Sequence, residues 1–142
     1  MPNECWHADN AWTTLLGGPH STNYDMTAKR GLILNDGTLM SFYDADLPNC
    51  LYGGAIVGAC GAISIDVNGF KGPNRWGRDI FVFIIVNKPQ NSQFVGLIPY
   101  GSLYSNIPPP WTNFSGCVST VDGQFNGLAC AGRVIQENGM NY

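Results

Sequence analysis

Between two apolar runs, 62–65 and 80–86, lies the segment Asp66-Val-Asn-Gly-Phe-Lys-Gly-Pro-Asn-Arg-Trp-Gly-Arg-Asp79. It constrains the fold more than any other stretch, because its punctuation leaves the backbone few choices. Gly69, Gly72 and Gly77 can take positive φ at no steric cost. Pro73 fixes its own φ and biases the residue before it toward extended backbone. Asp66, Asn68 and Asn74 can each bond nearby amides as Asx-turns do. The segment therefore reads as an ordered connection of one shape between two strands, and a fixed loop commonly presents or binds something.

The strands follow from period. At 59–66, Ile63 and Ile65 share one face and Ala62, Ser64 and Asp66 the other. The run at 80–86 is apolar throughout and reads as a central strand covered on both faces. Upstream, Asp36-Gly37 separates 32–35 from 38–43, and this predicts a hairpin with a type I′ turn. A further strand is expected at 94–98 and a short strand or turn at 118–123. Two short helices are expected. One runs from an Asp9 cap to the Gly17-Gly18-Pro19 stop, with Trp12, Leu15 and Leu16 on one face. The other spans 127–138, capped by Asn126 and closed by Gly139, with Leu128, Ala131, Val134 and Ile135 inward. The fold class is α+β: an antiparallel sheet with a short helix near each end of the chain. A single domain over 1–142 is expected, with 1–30 as helix and loop and 31–142 as sheet and C-terminal region.

Composition narrows the function classes. Charged residues are only 12% of the chain, about half the usual share. The net charge is −3 with a pI near 5.0, and no basic stripe exists to release counterions from phosphates, so nucleic acid is not an expected partner. The 18 glycines and 9 prolines fit a loop-rich β-domain of the kind common outside the cell. Cysteines stand at 5, 50, 60, 117 and 130 without any C-x-x-C pair, which argues against a zinc ribbon or a thioredoxin-type centre. Two disulfides and one free thiol is the natural reading, and any four of the five can pair in three ways. Pairing Cys50 with Cys60 and Cys117 with Cys130 closes two short loops and leaves Cys5 aside. Each such loop would contribute roughly 3 kcal/mol through chain entropy and would point to an oxidising compartment. The bland alternative is five buried reduced thiols. The opening Met-Pro-Asn-Glu-Cys-Trp is polar and acidic, so export would require a signal upstream of Met1.

With these residues in view, the chain resembles the globular head of type IV pilin-like proteins, the pseudopilins of type II secretion and related bacterial filaments. Residues 65–81 look like the D-x-N-G-x-x-G-P-N-x-x-G-x-D-x-F segment of many prepilin-type sequences. The Asn35-Asp36-Gly37 hairpin lies upstream as it does there, and the end, Cys130 to Tyr142, resembles the close of the same proteins. The resemblance implies a non-enzymatic subunit of an extracellular or periplasmic bacterial filament, partnered by other pilin-like subunits. It would meet the membrane only through a long apolar stem helix that this sequence does not contain. Five cysteines exceed the single pair common in pilins.

Two site hypotheses come from the residues themselves. Asp66, Asn68, Asn74 and Asp79 could offer oxygens to a Ca²⁺ ion, although between 66 and 79 the cations Lys71, Arg75 and Arg78 outnumber the two carboxylates. The same carboxylates equally suit a structural role, accepting amides or pairing with arginine. Trp6, Trp12, Trp76 and Trp111 raise the alternative of a secreted carbohydrate-binding or adhesive β-domain, against core or subunit-interface roles. Catalysis has little support: the only histidines are His7 and His20, and no G-x-S-x-G, phosphate-loop or dinucleotide pattern occurs.

Overall fold

The computed structural model describes residues 12–19, 30–43, 50, 59–87, 96–100 and 116–142. Five antiparallel strands form one sheet in sequence order: β1 (Arg30–Ile33), β2 (Leu39–Tyr43), β3 (Ala59–Asp66), β4 (Ile80–Val86) and β5 (Gly96–Pro99). Among the described residues a single short helix, α1 (Cys130–Glu137), follows and packs on β4 and β5. This is the α+β layout expected, with β3 and β4 at the anticipated positions.

The hairpin differs in its turn. Leu34 accepts from Gly37 N–H at 2.9 Å, Leu34 N–H donates to the Thr38 carbonyl at 2.9 Å, and only Gly37 has positive φ, +89°. A type I′ turn would need positive φ at both central residues. Here Asn35 and Asp36 stay right-handed, and Gly37 makes a type I turn with a one-residue bulge. Asp36 Oδ1 accepts from Thr38 N–H at 2.9 Å, and that bond holds the carboxyl below its ordinary pKa.

The first expected helix is not formed over 12–19. Thr13 instead bridges Arg75 in parallel: Thr13 N–H donates to the Asn74 carbonyl and Trp76 N–H donates to Thr13, both at 3.0 Å. Two β-branched threonines favour extended backbone, and loop 74–76 offers amide partners that a lone turn of helix could not match. Trp12 and Leu15 are buried as expected, but Leu16 points outward. The segment before Trp12 lies outside the described residues. Residues 118–123 form bends and no strand.

The C-terminal helix starts three residues later than its pattern suggested. Asn126 does not cap it. The residue before its first turn is Ala129, with no side-chain cap. The left-handed C-cap is Asn138 (φ +53°) and not Gly139, whose N–H also donates to the Val134 carbonyl at 3.1 Å. An asparagine can hold this conformation, so the glycine one position on is not needed for it. Leu128 and Ala131 are inward, Val134 is half-buried and Ile135 is exposed.

The core lies on one face of the sheet. Leu39, Ala62, Ile80, Val82, Ile84 and Ile98 meet Trp12, Trp76 and Leu128 there. Along β4 the burial alternates strictly between buried and half-buried. Both faces of this strand are apolar, yet only one is sealed, which corrects the expectation of full cover on both sides. The strand is also next to the edge of the sheet rather than at its centre.

Cys50 and Cys60 are joined, as are Cys117 and Cys130. The register of β3 on β4 slips between Ala59 and Gly61, so Cys60 sits in the irregularity. Cys50 reaches it from a left-handed backbone position, φ +56°.

Candidate functional site

The 66–79 loop is built from its own amides. Asp66, at 0% exposure, accepts from Asn68 N–H through Oδ1 at 3.0 Å. Val67 N–H donates to the Asp79 carbonyl at 2.9 Å and closes the loop's base. On the returning side, Asp79 Oδ2 accepts from Arg75 N–H at 3.1 Å, while the Arg75 carbonyl accepts from the amides of Arg78, Asp79 and Ile80. The two carboxylates that open and close the segment thus each order the turn at their own end. Gly72 precedes Pro73 through a cis peptide and does not use positive φ, whereas Gly69 (+69°), Asn74 (+33°) and Gly77 (+79°) do.

Two glycines are set by close approach. A Cβ on Gly69 would strike the Gly37 carbonyl oxygen, so the loop abuts the β1–β2 turn directly. A Cβ on Gly77 would stand 2.5 Å from Cys130 Sγ and 3.1 Å from the Gly127 carbonyl oxygen. At that second point the loop rests on the Cys117–Cys130 disulfide and the entry to α1. The phenol of Tyr142 donates to the Gly77 carbonyl, and the Arg78 guanidinium donates to the Tyr142 main-chain oxygen at 2.9 Å. The loop is therefore clamped at both ends.

Asp66 and Asp79 each accept a loop amide with one oxygen, and Asn74 is buried with its main-chain carbonyl accepting from Thr13 N–H. Among the described residues no group of three His, Cys, Asp or Glu side chains is placed to hold a metal ion.

Trp76 is not at the loop tip. It is 3% exposed and belongs to the core with Trp12, so neither ring offers a platform to a sugar. The reason is the parallel bridge to Thr13, which draws 74–76 inward. Trp6 and Trp111, like Cys5, His7 and His20, lie outside the described residues.

One feature escaped the sequence reading. The Cys117–Cys130 bond closes a loop over 117–130 that carries a surface groove of about 330 Å³, lined by Val118, Val121, Asp122, Phe125 and Asn126 among others. Buried Asn126 shapes it: Oδ1 accepts from Val118 N–H at 3.0 Å, and Nδ2 donates to the carbonyls of Val118 (2.8 Å) and Val121 (3.2 Å). Asp122 ties it to the N-terminal segment: Oδ2 accepts from Thr14 Oγ1 at 2.9 Å and from Gly18 N–H at 3.1 Å. The sequence offered a short strand or turn at 118–123 and a cap at Asn126, and neither reveals where this loop docks.

Both disulfides fit an oxidising, non-cytoplasmic environment. No helix among the described residues is long and apolar enough to cross a membrane. Compared with protein-family models, with characterised proteins and with solved structures, the chain finds no match.

Proposed function

We propose that this chain is the head of a pilin-like filament subunit, held outside the cytoplasm on the bacterial surface or in the periplasm, and that it works by packing rather than by catalysis. One observation carries the reading: the second face of the sheet is apolar, continuous and incompletely covered. Strand register aligns Leu32, Met40, Ile65 and Phe81 in one row and Phe42, Ile63, Phe83 and Pro99 in the next, with Ile85 opposite Leu97. Leu32 and Leu97 are exposed and Met40, Phe42, Ile65, Phe81, Phe83 and Ile85 are half-buried, while Ile63 and Pro99 are buried.

An apolar sheet face seeks a second layer, and a helix laid along it is the common solution. A stem helix encoded upstream of residue 1 would supply that layer and join neighbouring subunits. The clamped 66–79 loop and the two disulfides would keep the head rigid while it packs. No bound metal is needed for this role, although an ion at the loop is compatible with it.

The test uses Phe81→Asp and Ile85→Asp in two settings. In the isolated 142-residue chain, each should shift stability by no more than about 1 kcal/mol, since the face is partly open to water. In the full-length gene product, each should abolish filament assembly. Normal filaments from the full-length variants would sink the proposal. So would collapse of the isolated variants, because the face would then be packed by the chain itself.

A further inference from the structure

The tip of the 66–79 loop bears an apolar cluster and one charge. Phe70 and Val67 are each 54% exposed, and exposed Lys71 follows. They flank Gly69, which presses on the Gly37 carbonyl of the turn that also carries exposed Leu34, with Ile33 just before it. Single exposed apolar side chains need no explanation, but several gathered about one rigid contact mark an interaction surface. The buried Asp66 carboxylate and the Gly69–Gly37 approach keep Phe70 presented on an ordered backbone, so little ordering is lost when it binds.

The other flank holds the complement. In the groove closed by Cys117–Cys130, Val121 is 68% exposed, Phe125 and Val118 are also exposed, and Asp122 is the only charged residue among the described lining residues. Its volume, about 330 Å³, is at the small end of binding cavities and suits a single aromatic side chain.

The geometry points to a head-to-tail contact between copies of this chain, in which the Phe70–Lys71 tip of one copy seats in the 116–126 groove of the next. It rests on the filament reading above and names the surfaces through which neighbouring heads would meet. Phe70 lies against Val118, Val121 and Phe125, and Lys71 is directed toward Asp122. The apolar insertion supplies the affinity, while the charge pair at the rim fixes register and suppresses the reversed pairing. Knob and hole are different surfaces of the same molecule, and a head-to-tail contact of this kind gives a ring where its rotation closes and a helical array where it does not.

The experiment mixes two forms of the full-length subunit, Phe70→Cys and Val121→Cys, each also carrying Cys5→Ser, and oxidises them after assembly. Crosslinks should appear between F70C and V121C chains, with few between identical chains. Filaments without that mixed crosslink, or with F70C joined mainly to F70C, overturn the contact and leave the filament reading standing. Failure of the unsubstituted full-length subunit to form filaments overturns both. Lys71→Glu, at an exposed position, gives a second readout in the same mixture. It should lower the mixed-crosslink yield at least about threefold at low salt and recover in high salt, where like-charge repulsion is screened. An unchanged yield rejects the Lys71–Asp122 pairing.

Discussion

Tyr142 lies between two cations. The guanidinium carbons of Arg78 and Arg133 stand 5.4 and 5.2 Å from its ring centroid, and its phenol donates to the Gly77 carbonyl. Burial pushes the phenol pKa up to about 12, against the opposing pull of the two arginines. A phenolate could not donate to Gly77, so the folded state prefers the protonated form. The folded pKa lies above the unfolded value of 10.0, so this contribution is complete below pH 10 and is lost as pH rises toward 12. Alkaline titration of the phenolate absorbance should show a late-ionising component that is missing in Tyr142→Phe, and the variant should lose less stability than the parent across that interval. Asp66 offers a second residue-scale test. Asp66→Ala leaves the Asn68 amide without its buried acceptor and should cost about 1–3 kcal/mol in denaturant unfolding. The residue types were legible as a turn system from sequence. The partners of Tyr142 and the burial of Trp76 were not, because both depend on segments more than 60 residues apart in the chain meeting in space.

At the scale of elements, β3 and β4 were readable because period and β-branching agree with their tertiary surroundings. The misread elements are those where local propensity met a stronger external partner. Residues 12–18 had a helical spacing of apolar side chains, yet hydrogen bonds to 74–76 and to the Asn126 carbonyl drew them into extended structure and a turn. Asn126 had the look of a helix cap, and its side chain instead holds Val118 and Val121. Glycine placement tests this picture. A Cβ at Gly127, where φ is +103°, would collide with the Trp76 backbone, whereas Gly123 has open space around it. Gly127→Ala should therefore destabilise by on the order of 2–4 kcal/mol and Gly123→Ala by no more than about 0.5 kcal/mol, both read from thermal or chemical unfolding.

Over the whole molecule, one sealed sheet face and one partly covered apolar face coexist with two loops braced against each other. The Cys117–Cys130 bond is central to the bracing, since Gly77 rests on it and the Arg133 guanidinium donates to the Cys117 carbonyl at 3.1 Å. Replacing both cysteines by alanine should lower stability by about 3 kcal/mol and should also speed amide exchange in the distant 75–79 turn, a coupling absent if the two loops were independent. Sequence alone determined the sheet's strands and the turn chemistry of 66–79, because each follows from residues close together in the chain, and it favoured the short-loop pairing of the cysteines without choosing it. Tertiary structure alone decided which sheet face was closed, that Trp76 turned inward, and that the disulfide loop became a groove. Those outcomes depend on which distant backbones offer each other hydrogen bonds and which glycines let them touch, and no local pattern of side chains encodes that choice.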